Sequence, residues 1–146
     1  MRGPDAIALL KADHRQVGAW FKAFGKVRSA SRKQHLATSI CKALRVHVAI
    51  EEGIFYPAFL RATGDLDMHH EALVEHASAK SLIRQIENST PSNPFFSSKV
   101  KVLGEQITHH VDEEEEPGGM FAEARKSSMD LRVVGARMLA KKRSLR

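Results

Sequence analysis

A histidine followed four residues later by a glutamate occurs twice on an apolar stripe of helical spacing, at His47–Glu51 and at His110–Glu114. On a helix, residues at i and i+4 lie one above the other, so each pair offers an imidazole and a carboxylate to one point. The first pair sits within the stripe Ile40, Leu44, His47, Glu51, Ile54, Ala58, at steps of 4, 3, 4, 3 and 4. The second closes the stripe Phe96, Val100, Leu103, Ile107, His110, Glu114, at steps of 4, 3, 4, 3 and 4. The face that packs against other helices therefore passes through an imidazole and then an acid. A buried carboxylate is costly unless it is paired or coordinates a metal. Two helices carrying the same buried polar pair thus predict a ligand shared between them.

The rest of the chain supplies further helices with interrupted stripes. Asp5 is a natural N-cap for a first helix that ends near Arg28 and carries Leu10, His14, Val17, Phe21 and Phe24. A second runs from about Ser31 to Leu60, near 45 Å at 1.5 Å per residue, with Pro57 kinking it or marking its end. Gly64 stops it and Asp65 starts the next. That third helix, about 66–88, has the stripe Leu66, His69 or His70, Leu73, His76, Lys80, Ile83. Asn88 to Pro94 is loop chemistry, and a fourth helix runs from Phe95 to Glu116, before Pro117-Gly118-Gly119. A short piece, Met120 to Lys126, precedes a last amphipathic helix with Leu131, Val134 and Met138, capped by Ser127 and Ser128. No run alternates with period two over strand length. The pattern predicts an all-α fold: an antiparallel up-down-up-down four-helix bundle over about 5–116 with an additional C-terminal helix over about 128–143, as one domain spanning 1–146.

Charge and cysteine content exclude several classes. The net charge of +6 comes from Arg132, Arg137, Lys141, Lys142, Arg143 and Arg146, and the rest of the chain is neutral. A basic helix end, solvated, explains this better than a nucleic-acid surface. The single cysteine, Cys41, rules out a disulfide framework and a cysteine-based zinc site, and it falls one residue off the apolar stripe as an inert thiol. The opening Met1-Arg2-Gly3-Pro4-Asp5 lacks the apolar run of a signal peptide, and no stretch approaches the roughly 20 apolar residues of a spanning helix. A cytoplasmic protein without membrane partners is the expectation. There is no Gly-rich phosphate loop, nucleophile elbow or zinc-finger spacing.

Placed together, the polar exceptions are His14 on the first helix, His47 and Glu51 on the second, His76 on the third, and His110 and Glu114 on the fourth. His14 alone would read as a core histidine bonded to a carbonyl, and one His/Glu pair alone as a surface contact. All six on packing faces of four helices read as a metal site inside a bundle. Four imidazoles and two carboxylates suit iron, manganese or zinc, and exceed what one tetrahedral zinc needs. They fit two metals bridged by Glu51 and Glu114.

The stretches Asp13-His14-Arg15, His47 to Pro57, Glu75-His76 and His109 to Glu116 resemble the hemerythrin-like (HHE cation-binding) domains of bacteria. Met129-Asp130-Leu131 through Gly135-Ala136-Arg137 is similar to the last helix of such proteins. The resemblance implies a non-haem di-iron centre that binds or senses oxygen, nitric oxide or peroxide, or handles iron. Carried over, His14 and His47 would serve one iron, His76 and His110 the other, with Glu51 and Glu114 bridging. Two departures stand out. Oxygen-carrying hemerythrins have a second histidine one turn after the first on the third helix, where this chain has Lys80. They also place His and Asp five apart on the fourth helix, where this chain has His110 and Glu114 at four. Both point away from simple oxygen carriage and toward a more open, reactive or regulatory centre, with water, an exogenous ligand or His69 filling the place.

Neighbouring residues take lesser roles. Glu52 and Glu113 read as solvent-facing or as orienting a ligand imidazole, and Asp13 and Glu75 as candidates for the same task. His109 could exchange roles with His110, and Tyr56 reads as packing. Two other functions compete with the binding or sensing module. One is a di-iron enzyme that consumes peroxide or nitric oxide. The other is a metal-free helical module that uses its basic C-terminal helix on an acidic partner. Glu51→Ala is expected to lose metal while relieving the metal-free bundle of a buried carboxylate.

Overall fold

The computed structural model describes residues 3–145; Met1, Arg2 and Arg146 of the sequence lie outside them. It is helical throughout, with no strand among the described residues. Helices α1 (Ala6–Lys26), α2 (Ala30–Ile50), α3 (Tyr56–Thr63), α4 (Leu66–Glu87) and α5 (Phe96–Glu115) form the bundle, and α6 (Met120–Lys126) and α7 (Leu131–Ser144) follow. A π-helical turn, Glu51–Phe55, joins α2 to α3, so the second rod of the bundle is one continuous helix with a widened turn at its middle. Short connections reverse the chain between rods. Each of α1, α2, α4 and α5 packs against two of the others, closing a four-sided bundle. Helix α7 lies against α1, α2 and the π-turn, while α6 packs on α3 and α5.

The helix boundaries follow local chemistry. Asp5 accepts a hydrogen bond from Ala8 N at 2.8 Å and Asp65 one from Met68 N at 3.1 Å, satisfying amide groups that the first turn leaves free. Gly64 ends α3 with φ 69°, a conformation glycine adopts without a Cβ clash. The last helix departs from the serine caps expected of it: Asp130 accepts from Val133 N at 3.1 Å and begins α7 at Leu131. Ser127 instead closes α6, its hydroxyl donating to the Ala124 carbonyl at 2.7 Å.

Two stripes also differ from their sequence readings. On α4 the buried face is Ala72, His76, Ala79, Ile83 and Ile86, whereas Leu66 is 52% exposed and Lys80 lies outside the core. Two alanines carry that seam; being small, they give a weaker periodic signal than the leucines beside them. On the second rod, the π-turn alters the face beyond Glu51. Tyr56 N donates to the Glu51 carbonyl five residues back, and Phe55, Tyr56 and Phe59 become fully buried while Ile54 is only partly so. Pro57, expected to kink the rod or mark its end, sits in the first turn of α3 directly after the π-turn.

The core has two apolar parts. One gathers Ile7, Leu10, Ile50, Phe55, Phe59, Phe121, Val134 and Met138, among others, and the second gathers Val17, Phe24, Ile40, Leu44, Ile83, Phe96, Val100 and Leu103. The expected polar residues fall between them in sequence on three rods, His14 between Leu10 and Val17, His47 between Leu44 and Ile50, His76 between Ala72 and Ala79, and on the fourth His110 and Glu114 lie between Leu103 and Met120 of α6. A polar layer thus divides the core across all four rods.

Backbone contacts hold the end of α5 in place. A Cβ added to Gly119 would stand 2.2 Å from the Glu113 carbonyl oxygen and 3.1 Å from that of Glu114. Gly119→Ala is therefore expected to shift the turn after α5 and cost about 1–3 kcal/mol, as overpacking does. A urea melt of the metal-free variant measures it; an unchanged midpoint would show that the turn yields freely.

Candidate metal centre

His47, Glu51, His76, His110 and Glu114 are all buried, with Glu51 at 0% exposure, and the His14 side chain is only 6% exposed. The six sequence-predicted residues meet in the polar layer. Donor atoms of His14, His47, Glu51 and Glu114 lie within 4.8 Å of one another, as do those of Glu51, His76 and His110. Glu51 belongs to both groups. Glu114 also spans them, with Oε1 3.3 Å from His14 Nε2 and Oε2 3.1 Å from His110 Nε2.

The four imidazoles are oriented in the same manner. Nδ1 of each is bonded to a carboxylate: His14 to Glu115 at 2.6 Å, His47 to Asp13 at 3.0 Å, His76 to Glu52 at 2.8 Å and His110 to Glu75 at 2.5 Å. An ionised carboxylate only accepts, so each Nδ1 carries the proton and Nε2 is presented to the interior. Carboxylates bonded in this way fix ring orientation and raise the basicity of the opposite nitrogen. Asp13, Glu52 and Glu75 were legible as neighbours of the ligand positions. Glu115 was hidden in the acidic run 112–116, because sequence does not show which of five consecutive positions reaches back to α1.

Two of these carboxylates are themselves anchored by lysines. Lys142 of α7 reaches Asp13 at 2.5 Å, so at least this residue of the basic C-terminal helix turns inward and is no solvated charge. Burial would raise the Asp13 carboxyl, but hydrogen bonds from His47 and Lys142 hold it below the usual range. Lys80 bonds Glu52 at 2.8 Å. The residue standing where oxygen carriers have a histidine is thus withdrawn to the surface to steady the carboxylate behind His76. His69 does not fill the vacated place; its ring packs edge-on against Tyr56 at 6.2 Å, outside both donor groups.

Tyr56 is a centre residue, not mere packing. Its hydroxyl donates to Glu114 Oε2 at 2.8 Å and lies 3.2 Å from Glu51 Oε1, with His76 Nε2 and His110 Nε2 at 3.1 and 3.2 Å. On an α-helix a residue five positions on is rotated by about 140°. The widened π-turn reduces that rotation and returns Tyr56 to the face of Glu51. The Pro57 that follows was the only sequence signal of a departure from regular helix here.

The electrostatics describe a site that demands cations. Burial alone would push the His47 imidazole down, yet the charge of Glu51, the hydrogen bond with Asp13 and the charge of Glu114 together hold it at about 10. His110 is likewise raised to about 10, against burial, by Glu114, Glu51 and Glu75. Burial raises the Glu51 carboxyl, but His47 and His76 outweigh it and hold the group well below its ordinary value. Burial, then the charges of Glu51 and Glu114, push the Tyr56 phenol well above its own. Protons therefore occupy His47 and His110 when metal does not. A group raised from 6.5 to about 10 on folding stabilises the fold fully below 6.5 and loses that contribution as pH rises through 10. Metal-free protein should accordingly weaken between pH 6.5 and 10, in urea melts with chelator present. A flat profile there would place these imidazoles in solvent.

The donor set fits a metal. His14 Nε2, His47 Nε2, Glu51 Oε2 and Glu114 Oε1 are buried without a hydrogen-bond partner, and together they are one of the two donor groups. Unpartnered buried polar atoms each cost about 1–3 kcal/mol, so four converging on one point call for an ion.

A helical bundle with histidines and shared carboxylates projecting inward from four rods defines a class of cation-binding bundle proteins. The model of the Hemerythrin HHE cation binding domain family matches residues 5–117. The chain belongs to that family. Its fold matches the crystal structure of a hemerythrin HHE cation-binding domain-containing protein from Mycobacterium kansasii, with TM-score 0.80 at 20% identity over 98% of this chain and 88% of that one. It is also 29% identical over 107 residues to a DNA nickase of Nostoc sp., which covers 73% of this chain and 30% of that protein. The chain thus spans under a third of the length of the curated relative it matches. No described helix is long and apolar enough to cross a membrane.

Proposed function

We propose that the protein holds two iron ions in this centre and uses them to bind or sense a small molecule such as oxygen, nitric oxide or peroxide. The observation that carries the reading is the set of four imidazoles, each fixed by a carboxylate at Nδ1 and presenting Nε2 toward two buried, shared carboxylates. One ion would be held by His14, His47, Glu51 and Glu114, and the other by His76 and His110 with the same two carboxylates. Iron supplies a Lewis-acidic, redox-active position for a small ligand. Manganese or zinc would satisfy the same donors.

The surroundings favour a small ligand. A cavity of about 20 Å³ adjoins the centre, lined by Val17, Leu44, Val48, Ile107 and Val111 with the four histidines. About 10–15 Å³ admits one water, so the chamber has room for one molecule of diatomic size. A second reading, turnover of peroxide or nitric oxide, is favoured by Lys80, which turns away to Glu52 and adds no further nitrogen donor beside His76 and His110. Metal analysis of freshly purified protein, with absorption spectra before and after oxygen, tests the first. Two irons per chain and a near-ultraviolet band support it; a protein that takes up no metal overturns it. Steady consumption of peroxide or nitric oxide, abolished by His76→Ala, would select the enzyme.

A further inference from the structure

A second group of ligand-type side chains lies outside the buried centre. His109 Nε2, on α5, stands 2.8 Å from Glu113 Oε1 and 3.7 Å from Glu75 Oε2 on α4. One donor atom from each of the three lies within 4.8 Å of the others. The His109 side chain is 69% exposed, so the trio opens to solvent. An imidazole with two carboxylates is a donor set for a first-row divalent cation.

The position of the trio gives it a purpose. Glu75 faces two ways, with Oε2 toward His109 and Oε1 bonded to Nδ1 of His110, a residue of the centre. Glu75 and Glu113 also line a cavity of about 150 Å³ together with Glu71 and Glu116, and the same cavity is walled by His110 and Glu114. Glu114 is buried and carries an oxygen with no partner. Four acids therefore lead from the surface to the buried donors of the centre. A low-dielectric cleft lined by one sign of charge concentrates the opposite ion. The groove on the α1 side, which reaches His14 and which His109 also borders, sets Lys22, Lys33 and Lys101 against Glu105 and Asp112, a lining that is not acidic on balance and favours a cation less.

We propose that Glu75, His109 and Glu113 form a surface capture site for a divalent metal ion, and that the acidic cavity behind them is its path to the buried centre. The inference rests on the metal-binding reading of that centre. Successive carboxylates replace the waters of the ion as it moves inward, and Glu75, shared by the trio and the His110 pair, is the point of transfer.

The test uses cobalt(II) alone, added to the metal-free protein and followed by its visible absorption in a stopped-flow instrument. The double variant His109→Ala/Glu113→Gln alters neither the six centre residues nor their Nδ1 partners. It is expected to fill the centre at least tenfold more slowly at limiting cobalt, yet to reach the same final occupancy and melting temperature. Glu105→Gln, an exposed acid of the same helix, should load at the wild-type rate. In Glu51→Ala protein, equilibrium dialysis should still find one weakly held cobalt, lost when the double variant is added. Equal loading rates for wild type and double variant overturn the proposal, as does an equal slowing by Glu105→Gln. A wild-type centre that binds no cobalt would overturn the buried-site reading instead, and the weak surface cobalt would still be scored in that case.

Discussion

Glu51→Ala is expected to abolish stable metal loading, the largest single effect that any one residue of the centre can produce. Glu51 is fully buried and common to both donor groups, with Oε1 3.2 Å from His47 Nε2 and 3.1 Å from His76 Nε2. No neighbouring acid can replace it, because Glu52 is committed to His76 Nδ1 and Lys80. A ligand present at a thousand times its dissociation constant stabilises the fold by about 4 kcal/mol. At roughly 2–4 °C per kcal/mol for a chain of this size, wild type with metal should melt on the order of 10 °C above the variant. Metal analysis and a melt with and without chelator check both. A variant that keeps two ions and its metal-dependent melting shift would remove Glu51 from the centre.

The structure reverses the expectation for the metal-free form. From sequence, Glu51 was a buried carboxylate whose removal relieves the bundle. In the structure its charge helps to keep His47 and His110 protonated. Removing one partner of a buried ionic set leaves the other uncompensated, at a cost of up to about 3–5 kcal/mol if the charge stays. His47 can instead release its proton, which softens the loss. The deficit should be greatest between the ordinary carboxylate value of 4.5 and the ordinary imidazole value of 6.5, and shrink as pH rises toward 10. Chelator-treated wild type and variant, compared in urea at pH 6 and pH 9.5, give the sign directly.

Tyr56→Ala is expected to cost about 3–5 kcal/mol of stability, as large aromatic deletions from a packed core do. The ring is 0% exposed and packs against Phe55 and His76, with centroids 6.2 and 5.2 Å away. That is a large share of the roughly 5–15 kcal/mol that holds a domain folded. Tyr56→Phe separates ring from hydroxyl. It keeps the volume and loses a hydrogen bond to a charged Glu114 oxygen, about 1.5–3 kcal/mol in the metal-free state. Chemical denaturation of both variants decides. If phenylalanine costs as much as alanine, the hydroxyl network and not the ring holds this part of the core.

The six-residue constellation was legible because burial and helical periodicity constrain a side chain strongly. His14, His47, His76 and His110 interrupt apolar seams, and a seam is visible whether or not its partner helix is known. Tyr56 was not legible, since its face depends on a π-turn that adds one residue to the rotation between Glu51 and Pro57. The partner of Lys80, Glu52, was not legible either, because it lies on another rod. Glu115 and Lys142 were out of reach for the same reason: His14 to Glu115 and Asp13 to Lys142 are contacts between opposite ends of the chain.

The sequence by itself determined the helices, their order and the imidazoles and acids on their inner faces, because hydrophobic spacing, caps and breakers act locally along the chain. Only the tertiary structure decided how those groups are used: which carboxylate holds each Nδ1, which acids are shared between two donor groups, and where Tyr56 enters. Those choices rest on distances between rods, set by the packing of two apolar core halves above and below the polar layer, and no local property of the chain encodes them.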